Sequence, residues 1–322
     1  MSGGSKGNAG RKTLVALKGC VYALAAFVVA AALLLTWLRW DASRPRDDWW
    51  DARQGSLADV TAESLPVEGD MLATAVRLRS DTGVEVGLRV LRPAGSADPL
   101  PVMIILGGHR TGRDAVELVG EVRDCAVLAL DYPYAGPERL RGLRQTLRAL
   151  PRIRGALLDT PPALSLAMDW LHQQPWADRQ RIVLIGVSLG VPFAAAATAR
   201  DERFTGLAVV HGAADNQRWL EVNLARQIDA RLFRGLLATV LNWLAYGPAY
   251  DTPRYLAAMS PRPVLVIGAR DDERVPTGAP EQLFEAAREP KTLRFTEGLH
   301  VGPGRGDVID ELLAIADEEL RF

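Results

Sequence analysis

Cysteine is nearly absent from this chain of 322 residues, which carries only Cys20 and Cys125. Cys20 lies inside an apolar N-terminal run, out of reach of Cys125 in a folded domain, so no disulfide framework is expected. Neither stands in a C-x-x-C or Cys/His cluster, which removes the ligands for structural zinc and the pair needed for thiol redox chemistry. Histidine is also scarce, at four residues. Charge of one sign is not in excess: 38 Lys and Arg stand against 39 Asp and Glu, a formal net charge of −1. Nucleic acid binding normally needs a clustered basic face, so no nucleic-acid partner is expected and a small molecule is the default substrate. Hydrophobic residues, by contrast, make up 48% of the chain, enough core for one domain of about 250 to 270 residues.

The longest apolar stretch runs from Gly19 to Leu38, twenty residues without a charge. As a helix it covers the roughly 30 Å of a bilayer's hydrocarbon core. Lys6, Arg11, Lys12 and Lys18 precede it, and Trp37, Trp40, Trp49 and Trp50 follow. That asymmetry predicts a basic cytoplasmic segment over 1–18, a single membrane span over 19–38 and an extracytoplasmic domain anchored in the inner membrane. Arg39, Arg44, Arg46 and Arg53 beyond the span weaken the orientation signal. A cleaved signal peptide is the rival, with an apolar region of about 7 to 15 residues ending at a small-residue site. Here the run is longer and ends in Thr36-Trp37-Leu38-Arg39-Trp40. Residues 39–69 mix Asp, Arg, Ser, Pro and Trp without a sustained period and read as a juxtamembrane linker.

From residue 70 onward the pattern becomes regular. Ala75–Arg79 and Val84–Val90 alternate apolar and polar residues around Asp81-Thr82-Gly83, a half-exposed hairpin. Unbroken apolar runs at Val102–Leu106, Ala126–Leu130, Ile182–Val187, Leu207–Val210 and Val264–Ile267 suit strands covered on both faces, with Thr292–Phe295 a weaker one. Helical stretches fall near Arg113–Val122, Ala163–Gln173, Val191–Arg200, Glu281–Arg288 and Gly306–Leu320. The alternation predicts an α/β domain over 70–322, a mostly parallel sheet with helices on both faces. In such sheets ligands bind beyond the carboxyl ends of the strands.

One of those ends carries Gly186-Val187-Ser188-Leu189-Gly190, a G-x-S-x-G pattern between a strand and an alanine-rich helix. A strained strand-to-helix turn lifts such a serine above the sheet as a nucleophile. A serine hydroxyl needs an imidazole to take its proton. In this arrangement the acid follows the serine and the histidine follows the acid, and His300 alone lies beyond any plausible acid. His172 falls in a helical stretch and reads as packing or surface; His211 ends a strand and is either pocket lining or structural. The acid is offered twice after Val264–Ile267, as Asp271 and Asp272; Asp271 is favoured, three residues past Gly268, with Asp272 the alternative because it satisfies D-x-x-V-P. The oxyanion would be held by backbone N–H groups of Leu189 and of His109, in the loop Leu106–Gly112. That loop lacks the lysine of a phosphate-binding loop, and His109 has no second ligand at metal spacing; neither a cofactor nor a metal is expected.

With these residues in place, 70–322 resembles the α/β-hydrolase superfamily, in particular its bacterial dienelactone-hydrolase-like and acetyl-xylan-esterase-like branch. The resemblance rests on the turn at Ser188, the Pro261-Arg262-Pro263 approach to the acid strand, the Asp271 loop, His300 and Asp131–Gly136. It implies a Ser-Asp-His hydrolase of small-molecule esters, needing no cofactor. An acyltransferase, thioesterase or amidase with the same triad, or a catalytically silent membrane-anchored binding module, fits the same motifs. Leu106-Gly107-Gly108 departs from the His-Gly of many relatives and leaves the second oxyanion donor open. Between about 215 and 258 lies a helical insertion, with Trp219, Leu220, Leu224, Leu232, Leu236, Leu237, Leu241 and Leu244 at near-helical intervals. It is either a lid or scaffold, and Leu236–Tyr246 is apolar enough to touch a bilayer. A run of arginines, Arg139, Arg141, Arg144, Arg148, Arg152 and Arg154, either faces anionic lipid or an acidic substrate, or forms a solvated face.

Overall fold

Nine strands hydrogen-bond into one sheet in the computed structural model, which describes residues 6–67, 69–108, 111–119, 124–137, 139, 142–302, 304 and 306–320. They are β1 (Leu57–Leu65), β2 (Met71–Ser80), β3 (Glu85–Pro93), β4 (Leu100–Leu106), β5 (Ala126–Leu130), β6 (Ala177–Val187), β7 (Gly206–Val210), β8 (Val264–Ala269) and β9 (Lys291–Thr296). Their order is β1-β2-β3-β5-β4-β6-β7-β8-β9. The first three pairings, β1–β2, β2–β3 and β3–β5, are antiparallel. From β5 to β9 every pairing is parallel. Every residue of β4, β5, β7 and β8 is buried, which is why these strands read as unbroken apolar runs. The strand order reverses around β4, which lies between β5 and β6, so the loops after β4 and β6 open side by side at the switch point.

Helices cover both faces. Against one lie α3 (Gly142–Leu171), α4 (Val191–Arg200), α7 (Thr252–Ala257) and α8 (Ala279–Ala286). The other carries a 3₁₀ turn, Gly112–Leu118, and α9 (Gly306–Leu320). Of the helix expected near Arg113–Val122, the described part is a 3₁₀ segment up to Leu118, and residues 120–122 lie outside the described residues. The one expected at Ala163–Gln173 starts much earlier and takes in Pro151, Pro161 and Pro162. Proline at 161 has no N–H for the carbonyl of Leu157, and the hydroxyl of Tyr250 donates to that carbonyl instead. The insertion forms α5 (Asn216–Leu224) and α6 (Arg231–Leu244) and runs on into α7.

The segment expected as a linker is the largest correction. After α1 (Lys6–Ala42), residues 47–54 form α2 (Asp47–Gln54) and 57–65 form the edge strand β1. Trp50 of α2 is 2% exposed, its ring 5.6 Å from that of Tyr250. Arg53 closes a two-pronged pair with Asp159 at 2.9 and 2.7 Å, and Arg200 bridges Asp47 and Asp51. One buried indole and a set of fixed ion pairs hold α2 to the body. Trp50→Ala should therefore lower stability to denaturant by about 3–5 kcal/mol, the usual loss for a buried aromatic; a linker residue would change it by less than about 0.5 kcal/mol.

α1 is long enough, at about 55 Å, to exceed a bilayer's hydrocarbon core. Its part from Leu17 to Ala42 is long and apolar enough to cross a membrane, a length and composition that a signal sequence shares.

Candidate active site

Three side chains meet beyond the carboxyl ends of β6, β8 and β9. Ser188 follows β6 directly, with φ 54°, a left-handed conformation rare for a residue with a side chain. Two glycines make the turn possible. A Cβ on Gly190 would stand 2.1 Å from the carbonyl oxygen of Leu106, and one on Gly186 2.7 Å from the Cβ of Ala194. The pattern's glycines therefore let β4 and α4 close in around the serine. Pro192 sits in the first turn of α4, where no N–H is needed.

The Ser188 hydroxyl oxygen lies 2.9 Å from Nε2 of His300. Nδ1 of His300 lies 3.0 and 2.9 Å from the two carboxylate oxygens of Asp272. A proton on Nδ1 is donated to the carboxylate, which leaves the Nε2 lone pair to accept from Ser188. Asp272, not Asp271, is the imidazole's partner, which corrects the favoured expectation. The reason is local geometry. β8 continues to Ala269, two residues past the apolar run, and the Asp271 N–H is spent on the carbonyl of Gly298 while its side chain is exposed. Asp272 folds back, accepting from the backbone N–H groups of Arg274 and Val275 at 2.9 and 3.0 Å. Burial pushes the Asp272 carboxyl up, but the bond and charge of the His300 ring and the Arg274 N–H outweigh it and hold it below its ordinary value.

Two residues without a catalytic expectation brace the histidine loop. Glu273 accepts the His300 N–H at 3.0 Å. His211, fully buried at the end of β7, accepts the Val301 N–H on Nδ1 at 2.9 Å; its Nε2–H must then point to the Thr296 hydroxyl, 3.1 Å away. The rings of His211 and His300 are 5.5 Å apart. Its place at a strand's carboxyl end was the available signal for His211; Glu273 offered none beyond adjacency to the acid. Replacing His211 by Phe takes the acceptor from the half-buried Val301 N–H and a partner from the buried Thr296 hydroxyl, so stability should fall by about 1–3 kcal/mol and kcat should fall with it as the His300 loop loosens. Unchanged melting and unchanged kcat would show that this brace is idle. His172 lies just after α3, in the field of Arg203, and takes no part in the cluster.

The loop after β4 passes beside the serine, since a Cβ on Gly108 would lie 3.9 Å from that of Ser188. It is pinned by Tyr132, whose hydroxyl donates to the Gly107 carbonyl at 3.0 Å, and by Thr111, whose hydroxyl donates to that of Gly108 at 3.2 Å. His109 lies outside the described residues; Leu189 is the middle residue of the turn Ser188–Gly190 that leads into α4. A cleft of about 910 Å³ opens over the cluster, lined by Gly108, Ser188, Leu189 and His300 and roofed by Trp219 and Leu224 of α5. Its size is that of a small-molecule site. His211, Asp272 and His300 offer three ligand atoms within 4.8 Å of one another, yet the hydrogen bonds above already occupy both ring nitrogens of each histidine.

The sequence profile of the prolyl oligopeptidase family matches residues 163–301, a span that includes Ser188, Asp272 and His300. No curated protein matches the chain in sequence. Among solved structures, an acetyl xylan esterase from Paenibacillus sp. R4 superposes with a TM-score of 0.59 at 17% identity, over 84% of this chain and 93% of that one. Acetyl xylan esterase 1 from Thermoanaerobacterium sp. JW/SL YS485 gives 0.56 at 17% identity, over 86% and 98%. A glucuronoyl esterase from Solibacter usitatus gives 0.53 at 16% identity, over 86% and 92%.

Proposed function

We propose that this chain, which has the α/β-hydrolase fold of those structures, is a serine hydrolase that cleaves small-molecule carboxylic esters through an acyl-enzyme. The observation that carries the reading is the unbroken series from the Asp272 carboxylate through His300 to the Ser188 hydroxyl, at 2.9 Å on each side of the ring. Ser188 Oγ attacks the ester carbonyl while Nε2 of His300 takes its proton. Asp272 holds the ring in the tautomer that can accept and stabilises the imidazolium that forms. The tetrahedral oxyanion is met by the N–H of Leu189 and by an amide of the loop after β4, the His109 N–H being the expected donor; each such donor is worth about 10²–10³ in kcat. His300 then gives its proton to the leaving alcohol. A water, deprotonated by the same nitrogen, releases the acid and restores Ser188.

A second reading is amide cleavage, favoured by the match to the prolyl oligopeptidase family. The same residues serve, with the amine in the place of the alcohol. Parallel assays of short and long acyl esters, proline-containing peptide amides and added alcohol acceptors separate the possibilities. Ester turnover well above amide turnover, with water as the acceptor, is the expected result; peptide turnover exceeding ester turnover overturns it.

The apolar helix supplies the rest of the reading: α1 crosses the inner membrane once and carries the hydrolase domain on the extracytoplasmic side. Full-length protein should stay with membranes through alkaline carbonate washing.

A further inference from the structure

Beyond α1, the most exposed large apolar side chains among the described residues cluster on one helix. In α6, Leu232 is 92% exposed and Phe233 and Leu236 are each 58% exposed; Leu147 is the other residue at that level. Spacings of three and four put Leu232, Phe233 and Leu236 on one side of the helix. Polar solvent is a poor partner for such a turn, and a contiguous exposed apolar patch marks a contact surface.

The helix that carries that patch packs on α1. The elements packed most closely on α1 are α6 and the 3₁₀ turn Gly247–Ala249. The covered side of α1 is a stripe at helical spacing: Ala31 and Leu35 half-buried, Leu38 and Ala42 buried. A weld fixes its end. Asp41 accepts from Arg46 at 2.9 Å and from Arg154 at 2.7 Å, and both guanidinium groups lie over the Tyr246 ring, 4.5 and 4.1 Å from its centroid. Arg154 also donates to the Tyr246 hydroxyl at 3.0 Å. Tyr246 follows α6 by two residues, so α1 leaves the body at a set angle.

The depth follows from the helix rise. Ala31 lies seven residues before Leu38, about 10 Å back along α1. If Gly19–Leu38 spans the hydrocarbon, Ala31 and Leu35 lie inside it, and so does whatever covers them. An amphipathic helix lying at a bilayer surface buries its apolar face about 5–10 Å deep, the same range.

We propose that α6 is a second membrane contact, its Leu232, Phe233 and Leu236 covered by the acyl chains of the bilayer that α1 crosses. The inference rests on the membrane-spanning reading of α1. Its occupant is a lipid surface, because the patch stands on the helix that packs on α1, whose own apolar residues Leu33, Leu34 and Trp37 are exposed. Helix α5 packs on α6 and lines the cleft, and Asn223 of α5 donates to the Arg274 carbonyl in the Asp272 loop at 3.0 Å. The wall of the candidate active site is therefore one helix away from the bilayer.

The test uses the full chain in phosphatidylcholine and phosphatidylglycerol vesicles, with Cys20 and Cys125 replaced by alanine. A single cysteine, Phe233→Cys or Leu236→Cys, carries an environment-sensitive fluorophore; Glu285→Cys, at an exposed position of α8, is the control. Lipids brominated on the acyl chain should quench the probe at 233 and at 236 and leave the probe at 285 unquenched. Protein that resists carbonate extraction yet shows no quenching at 233 and 236 overturns the α6 contact and leaves the α1 span standing. Extraction by carbonate removes the span, and the proposal with it. Cross-linking between the 233 positions of two copies, in place of lipid quenching, assigns the face to a dimer and also overturns it.

Discussion

Ser188→Ala should lower ester hydrolysis by a factor on the order of 10⁴ to 10⁶, the range seen when a nucleophile acting with its base is removed. The size of the loss follows from the geometry. Ser188 is held in a strained conformation at the tip of β6, its oxygen 2.9 Å from His300 Nε2. Alanine keeps the turn, the glycine contacts with β4 and α4 and the cleft, but leaves no oxygen to attack. The variant should therefore fold like the parent and bind ester with nearly unchanged affinity, losing kcat and not KM. Residual activity within tenfold of the parent, in a folded variant, would mean that the nucleophile lies elsewhere.

Asp272→Asn should cost about 10⁴ in kcat, because an amide in that place favours the wrong imidazole tautomer. Asp271→Asn should change kcat less than about threefold, as a surface substitution that touches neither ring nor serine. The reverse pattern would return the role to Asp271. The parent and Asp272→Asn also differ in acid. Asp272 has its carboxyl held below the ordinary value of about 3.9, so its contribution to stability is complete above that value and is lost as pH falls through its lower folded value. The amide variant has no such charge to lose. As pH falls below the ordinary carboxyl value of about 3.9, the parent's melting temperature should fall more than that of Asp272→Asn; equal slopes would contradict the depressed carboxyl.

The approach of Ser188 to His300 is legible in the sequence because its signals do not depend on exact register. A glycine-flanked serine between a buried strand and a helix says where it points, and only one histidine follows the acids. The acid was less legible, since Asp271 and Asp272 are neighbours and the choice depends on where β8 stops. Extending that strand from Ile267 to Ala269 moves the turn and aims Asp272 at the ring. The 39–69 segment misled for another reason. β1 is an edge strand exposed along most of its length, so its sequence, Leu57-Ala58-Asp59-Val60-Thr61-Ala62-Glu63-Ser64-Leu65, carries no buried alternation. Trp50 enters the core as a single side chain from a short, highly charged helix, with no period to reveal it. His211 was visible as a strand-end residue, but its bond to the Val301 N–H depends on a contact across 90 positions of chain.

The most direct measurement is the site of covalent reaction. Wild-type protein treated with a fluorophosphonate should gain the mass of one adduct, lose activity in proportion, and yield that adduct on the peptide bearing Ser188. An adduct on another residue, or none on folded and active protein, would contradict the assignment of Ser188 as the nucleophile.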